Sequence, residues 1–312
     1  MEPSAKPRSS QAIERVHGLY QLARLHKFPL GSLIIYWPYG WGVAMAASKE
    51  HAPMHTILKS AAILLVVATL YHSAFCVWND ICDRDLDGKV ERTRGRPLVT
   101  GLVPLTDAFA LFAALLMLSF FTFLVQCTIG SYHDRFGVML TSLPINLVYP
   151  LTKRWTWWPQ LWLGIACGWG CAVGWASLAG DRFELQQLPA LQALCVADVL
   201  FTIFADTIYA AQDKSDDEKA GIKSTARLFG SHIRGILALF AIAFVGSLVL
   251  AGLLNGNNLP YFMIGCAGVA AHIIWQFYVW QPDDDECSAA IFKSNHDMGY
   301  ILFIGIILDS QL

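Results

Sequence analysis

Charge is scarce in this chain of 312 residues: only 15% are Asp, Glu, Lys or Arg, against 55% hydrophobic. A soluble domain is about a quarter charged, so a soluble globular fold is disfavoured from the outset. The apolar stretches also lack the period-two alternation that a membrane β-barrel requires. Eight cysteines are present without a single C-x-x-C pair, which leaves buried free thiols as the reading. The histidines show no H-E-x-x-H, so nothing points to a transition-metal site. No signal-peptide hydrophobic region with a cleavage site opens the chain. Glu2 and Glu14 stand among the basic residues there, unlike a mitochondrial transit peptide. The net charge of −2 says little about partners, because the charge is concentrated in a few loops.

Long apolar runs are what the chain has in plenty. They fall at about 29–47, 60–79, 103–127, 136–150, 159–179, 189–212, 233–254, 260–280 and 289–308. A helix needs roughly 20 apolar residues to cross a bilayer, and only helices or closed barrels satisfy their backbone there. The expected fold class is therefore an all-α multi-pass membrane protein with about nine transmembrane helices. Residues 1–10 are polar and read as disordered; Ile13, Val16, Leu19, Tyr20 and Ala23 then recur at helical spacing. That pattern suits an interfacial helix within an N-terminal segment, 1–28, ahead of a membrane domain, 29–312. With the N-terminus inside, 18 of the 22 Lys and Arg residues fall on inner segments, and only Lys49, Lys59, Arg135 and Arg182 lie outside. Such a bias supports nine passes and a cytoplasmic N-terminus in an endomembrane.

The charge that does exist is repeated. After the second run come Asp80, Asp83, Asp85 and Asp87, followed by Lys89, Arg92, Arg94 and Arg96. After the sixth come Asp206, Asp213, Asp216 and Asp217, followed by Lys219 and Lys223. Two pseudo-repeated four-helix halves around a central cavity are the natural inference. Asp83 and Asp87 are one helical turn apart, as are Asp213 and Asp217, so each pair projects from one face if its helix continues. Facing carboxylate pairs repel unless cations lie between them, and hard oxygen ligands suit Mg²⁺, which completes its shell with waters and substrate phosphates. Arg92, Arg96 and Lys223 are then placed for phosphate oxygens. The D-x-D-x-D-G run at Asp83–Gly88 imitates an EF-hand, but the twelfth position is Arg94 rather than Glu. Asp85 is the aspartate with no role in this scheme.

The segment N-D-x-x-D-x-x-x-D…R-T-x-x-R-P-L resembles the first signature of the UbiA superfamily of intramembrane aromatic prenyltransferases. D-x-x-Y-A-x-Q-D-x-x-D-D…G-I-K-S-T-A resembles its second. R-L-H-K-F-P-L-G, Y-P-L-T-K-R-W-T, P-Q-L-W-L-G and F-K-S-N agree with its 4-hydroxybenzoate polyprenyltransferase branch. The resemblance implies a nine-helix fold and Mg²⁺-dependent transfer of an isoprenyl group from its diphosphate to an aromatic acceptor. It implies that Asn79, Asp83, Asp87, Asp213 and Asp217 hold the metal and diphosphate, with Asp80, Asp206 and Asp216 in support. Lys153 and Arg154 match a basic pair at the active-site cavity.

Within that scheme Trp37, Tyr71, Trp169 and Tyr209 are candidates to stabilise an allylic cation. Arg24 and Lys27 are candidates to hold an acceptor carboxylate. The quinone-pathway pattern L-G-x-x-F-N-x-G is replaced here by Leu163 to Gly170, with Cys167-Gly168 where the aromatic and the amide stand. With the short leader and the end at Leu312, this favours the fungal enzymes of meroterpenoid pathways and farnesyl diphosphate with a phenolic acceptor. The alternatives are a ubiquinone-pathway 4-hydroxybenzoate polyprenyltransferase and, from another class, a transporter of divalent cations or organic anions. Glycines 164, 168, 170 and 174 form small-residue ridges for close helix packing.

Overall fold

The computed structural model describes residues 8–129, 136–179 and 184–312. Most of the polar leader, and Arg135 and Arg182 of the charge count, lie outside the described residues. Among those described there is no strand. The helices are α1 (Arg8–Leu22), α2 (Leu30–Glu50), α3 (Met54–Asp87), α4 (Leu105–Ile129), α5 (Phe136–Leu140), α6 (Leu143–Thr152) and α7 (Pro159–Ala179). Then come α8 (Leu188–Ala211), α9 (Lys214–Ala220), α10 (Thr225–Phe229), α11 (Ile233–Asn255), α12 (Ala267–Val279) and α13 (Asp285–Asp309). A π-helical turn, Tyr261–Cys266, leads into α12.

Among the described residues, six helices are long and apolar enough to cross a membrane: α3, α4, α7 and, with their preceding turns, α8, α11 and α12. The chain is an integral membrane protein. The first and last expected spans, α2 and α13, have the length but fall short in hydropathy. The reason is their place inside the bundle. α2 buries Tyr36, Trp37, Tyr39 and Trp41, and α13 buries Ser288, Asn295 and Asp309, so neither presents a uniformly lipid-like surface. α4 and α11 do the opposite, exposing Met117, Phe121, Leu239 and Ile242. The fourth expected span is two short helices, α5 and α6, interrupted at Thr141 and Ser142. α1 begins at Arg8, inside the stretch expected to be disordered, and exposes Ile13 and Val16 as an interfacial helix should.

The core is a seam of α2, α7 and α8. A Cβ on Gly42 would stand 2.1 Å from the Cys171 carbonyl oxygen, and one on Gly174 the same distance from that of Tyr39. Only hydrogen fits where the backbones of α2 and α7 meet. The other side of α7 does the same against α8, where Gly164 faces the Val199 carbonyl at 2.9 Å. Three indole N–H groups in this core find acceptors: Trp41 donates to the Gly299 carbonyl, Trp175 to Gln187 and Trp280 to Ser288; that of Trp37 has none among the described residues.

Candidate active site

α3 runs unbroken through Asn79, Asp80, Asp83 and Asp87, with the three acids buried. Past Gly88 the chain turns back, and Thr93 Oγ1 donates to the Asp87 carbonyl at 2.9 Å. This fold-back brings Arg92 and Arg96 over the helix end. Arg96 Nη1 donates to Asp80 Oδ1 at 2.8 Å and Asp87 Oδ2 at 2.6 Å. From the end of α6, Lys153 Nζ donates to Asp83 Oδ2 at 2.6 Å, and Asn79 Nδ2 reaches the same oxygen at 3.1 Å. Asp83 Oδ1 is buried and has no hydrogen-bond partner among the described residues.

The second cluster is built differently. α8 stops at Ala211, and Asp213 is the N-cap of the separate helix α9. The expected continuous helix is therefore broken between the motif's parts, at Gln212 and Asp213. Asp217 N donates to the Asp213 carbonyl at 2.7 Å, so the first turn of α9 still sets both acids toward one space. Gly221, at φ 73°, closes α9 in the left-handed region that glycine takes freely. Ser224 then accepts from Arg227 N to start α10.

The two clusters close on a cleft of about 660 Å³. Asp83, Asp87, Asp206, Asp213 and Asp217 line it together with Arg92, Arg96, Lys153 and Lys223. Arg92 ties the halves, its Nε donating to Asp213 Oδ1 at 2.9 Å and its Nη2 to Oδ2 at 2.5 Å. Lys223 N donates to the Lys153 carbonyl at 3.2 Å, linking the α9–α10 turn to α6. Burial, and then the neighbouring Asp213, push the Asp217 carboxyl up to about 7. Burial pulls the Lys153 ammonium down, but Asp83 more than restores it and leaves it above the ordinary lysine range. Lys27, exposed beside this cluster, is lowered by partial desolvation and by Arg24, Arg92 and Arg96.

Several expected residues are placed elsewhere. The expectation that Asp80 holds metal is corrected: it is fully buried and does not line the cleft, because Arg24 donates to both its oxygens at 2.7 and 2.9 Å and Arg96 adds a third bond. The same ion pair commits Arg24, so its guanidinium is not held out for an acceptor. Asp216 lies outside the cleft, accepting from Glu91 N at 3.1 Å and Lys219 at 3.3 Å. Arg154 donates to the Cys82 carbonyl at 2.6 Å, so only Lys153 of the basic pair enters the cleft. Of the four aromatic candidates, Tyr209 alone lines it; Tyr71 bonds Ser142, Trp169 donates to the Val138 carbonyl, and Trp37 packs on Tyr300. Tyr209 packs on Phe292 in a tilted contact with ring centroids 4.6 Å apart, and the Arg92 guanidinium lies 5.2 Å from its centre.

Among the lining residues given no role from sequence are Tyr149 and Gln160. Tyr149 stands one helical turn before Lys153, and that spacing was the available signal. Gln160 bridges Asp206 and the backbone N–H of Thr225, at 3.3 and 3.0 Å. Among the described residues, no three acids, histidines or cysteines converge on one point to hold a metal ion by themselves. The donor set fits a cation that takes one or two carboxylates and completes its shell with phosphate and water, which is how Mg²⁺ is commonly bound. The unpartnered Asp83 Oδ1 supplies one such free oxygen.

A model described as the UbiA prenyltransferase family matches residues 35–300. The chain is 38% identical over 310 residues to a UbiA prenyltransferase, claS, of Ampulloclitocybe clavipes, spanning 98% of this chain and 95% of that one. It is 39% identical over 280 residues to a mitochondrial 4-hydroxybenzoate polyprenyltransferase of Aedes aegypti, covering 90% of this chain and 60% of the relative. Among solved structures, an apo UbiA homologue from Aeropyrum pernix superposes with TM-score 0.73 at 24% identity, over 90% of this chain and 98% of that one. A homologue from Archaeoglobus fulgidus bound to DMAPP and Mg²⁺ gives 0.68 at 19% identity, over 94% and 98%.

Proposed function

This chain belongs to the UbiA prenyltransferase family and is a membrane-embedded transferase of prenyl groups, and from that premise we propose its substrates and mechanism. The reaction is Mg²⁺-dependent transfer of an isoprenyl group, farnesyl by preference, from its diphosphate to a ring carbon of a phenolic acid or polyketide in meroterpenoid biosynthesis. The observation that carries this reading is the single cleft in which five carboxylates face four cationic side chains. The fungal relative, similar along nearly its whole length, supports the meroterpenoid setting. The Archaeoglobus structures with DMAPP or GPP and Mg²⁺ support the diphosphate and the metal.

Asp83, Asp87, Asp213 and Asp217 are the residues to hold Mg²⁺, which when bound offsets the charge of the diphosphate. Lys153, Arg92, Arg96 and Lys223 meet its oxygens and stabilise the charge that grows on them as the allylic C–O bond breaks. Tyr209 offers its ring to the carbon left positive. The bundle interior keeps water from that carbon. The phenol ring attacks, a C–C bond forms, and the ring proton leaves to the released diphosphate or to Asp213. With Arg24 committed to Asp80, Lys27 is the cation at the entrance for an acceptor carboxylate.

We place nine passes in two pseudo-repeated halves, counting α5 and α6 as one, within a domain spanning 29–312. The cleft and the N-terminus face the cytoplasm of an endomembrane, as the Lys and Arg bias supports. The test is a panel of prenyl diphosphates against phenolic acids in membranes carrying this protein, with and without Mg²⁺. Product with farnesyl diphosphate only when Mg²⁺ is present is expected; a metal-independent product overturns the reading.

The second reading, 4-hydroxybenzoate with a longer polyprenyl chain, is favoured by the mitochondrial relatives at 39% identity. Diphosphates of different length competing in one vessel, with products weighed, separate the two. Transport of cations or anions gives way to transfer chemistry, because the family is one of transferases and the cleft sets phosphate-binding cations beside its acids.

A further inference from the structure

Asp198 lies on α8 two turns and more before Asp206, about 12 Å deeper along the helix at 1.5 Å per residue. It is fully buried, and neither carboxyl oxygen has a hydrogen-bond partner among the described residues. It walls a second pocket of about 390 Å³, otherwise largely apolar, with Ile34, Leu163, Cys167 and Phe201. Asp206 belongs to the walls of both this pocket and the cleft. Gly168 of α7 packs on α8 at this level, where an added Cβ would stand 3.1 Å from the Cys195 carbonyl oxygen and 3.8 Å from Asp198 Oδ2.

A polar group buried without a partner is destabilising, and an acid at membrane depth faces a ligand path or a cavity far more often than lipid. None of the mechanism above uses Asp198. An isoprenyl tail is hydrocarbon and donates no hydrogen bond, so it leaves the carboxyl as bare as before. A phenol brings an O–H.

We propose that Asp198 selects the acceptor: its carboxyl hydrogen-bonds a hydroxyl of the aromatic substrate, placing the ring in the second pocket below the diphosphate. This rests on the proposed function, since it takes a phenol as the substrate. Acceptors with a second hydroxyl on the far side of the ring are favoured over those without it. Asp198 is a specificity-determining residue, and the diphosphate does not touch it.

The test uses the full chain in lipid nanodiscs with Mg²⁺, saturating farnesyl diphosphate, and a set of mono- and dihydroxybenzoates. For wild type, the best dihydroxy acceptor is expected to exceed its monohydroxy counterpart in kcat/KM. In Asp198→Leu that preference is expected to fall about tenfold, the worth of one buried hydrogen bond, with the KM for farnesyl diphosphate unchanged. Asp198→Asn, which keeps an acceptor oxygen, should retain part of it.

A preference within twofold of wild type in Asp198→Leu overturns the proposal, as does a change in the diphosphate KM instead. Both Asp198 variants are expected to melt no lower than wild type, because the group removed has no partner in the fold; a clear drop in melting temperature would make Asp198 structural and also sink the idea. A wild-type protein that prenylates no phenol in the set refutes the proposed function itself and this inference with it. That outcome is distinct from prenylation with an unchanged preference.

Discussion

The two acidic clusters meet in one cleft but are held there in contrasting ways. The first stands on the end of a 34-residue helix, and each acid that matters has a cation in place: Asp80 with Arg24 and Arg96, Asp83 with Lys153, Asp87 with Arg96. The second stands on the seven-residue α9, joined to the first by Arg92 on Asp213, while at Asp217 the neighbouring acid Asp213 acts more strongly than any one of Lys153, Arg227 or Arg92. A short isolated helix has little stability of its own. The first half is thus a rigid, neutralised platform, and the second a jaw whose closure depends on charge between the halves.

The largest effect should come from removing one acid from each side. Asp83→Ala and Asp213→Ala are each expected to lower turnover by about a thousandfold in a product assay, with the protein still in the membrane; full activity in either would remove its half from the metal scheme. Asp80→Asn breaks the platform, leaving two guanidiniums around a neutral amide. A loss of about 3 kcal/mol, read as a lower melting temperature, is expected there, while Asp216→Asn on the jaw should leave the melting temperature nearly unchanged. Equal melting of the two variants would erase the contrast drawn above.

Arg92→Gln unfastens the jaw without touching the platform. It should raise the KM for the prenyl diphosphate and the Mg²⁺ requirement about tenfold, roughly the worth of one charge-assisted hydrogen bond, with little change in melting.

A smaller effect belongs to pH. The Asp217 carboxyl titrates near 7 in the metal-free fold, against about 3.9 in an unfolded chain. The folded state therefore binds its proton more tightly. The stability it contributes is complete below the unfolded value and is lost as pH rises through 7. Mg²⁺ needs the charged form, so Mg²⁺ affinity should strengthen between pH 6 and 8, and Asp217→Asn should flatten that rise in a metal titration. Asp85→Ala, outside the cleft, should change none of these readouts.

The residues most legible in the sequence were those whose role depends on local spacing. Asp83 and Asp87 could be placed on one face because the apolar period of α3 runs straight into them. The all-helical membrane fold was legible for the same reason, as a count of apolar runs. Asp80 was misplaced because its partner Arg24 lies 56 residues away, and no local pattern distinguishes a carboxylate held by arginines from one held open. Lys153 and Arg154 are adjacent, and which of them enters the cleft is set by how α6 ends rather than by composition. Hydropathy undervalued α2 and α13, since it reports resemblance to lipid and these helices mostly face protein. The departure at Cys167-Gly168 was visible as a break in a pattern. Its meaning was not, because Asp198 is a lone acid in an apolar run and gains significance only when α7 is packed beside α8.

The length of α3 has a consequence for the fate of both products. Its 34 residues extend about 50 Å at 1.5 Å each, while the hydrocarbon of a bilayer is about 30 Å thick. The acid-bearing end therefore stands at the headgroup level, and the apolar pocket below it stays within the acyl chains. An amphiphile entering sideways keeps its diphosphate in the wet layer and its tail in the oil throughout. Under the proposed reaction the two products partition in opposite directions: inorganic diphosphate escapes to water, and the prenylated ring diffuses away in the plane of the membrane. That divergence makes the reverse encounter rare and gives the reaction its direction without a further conformational step.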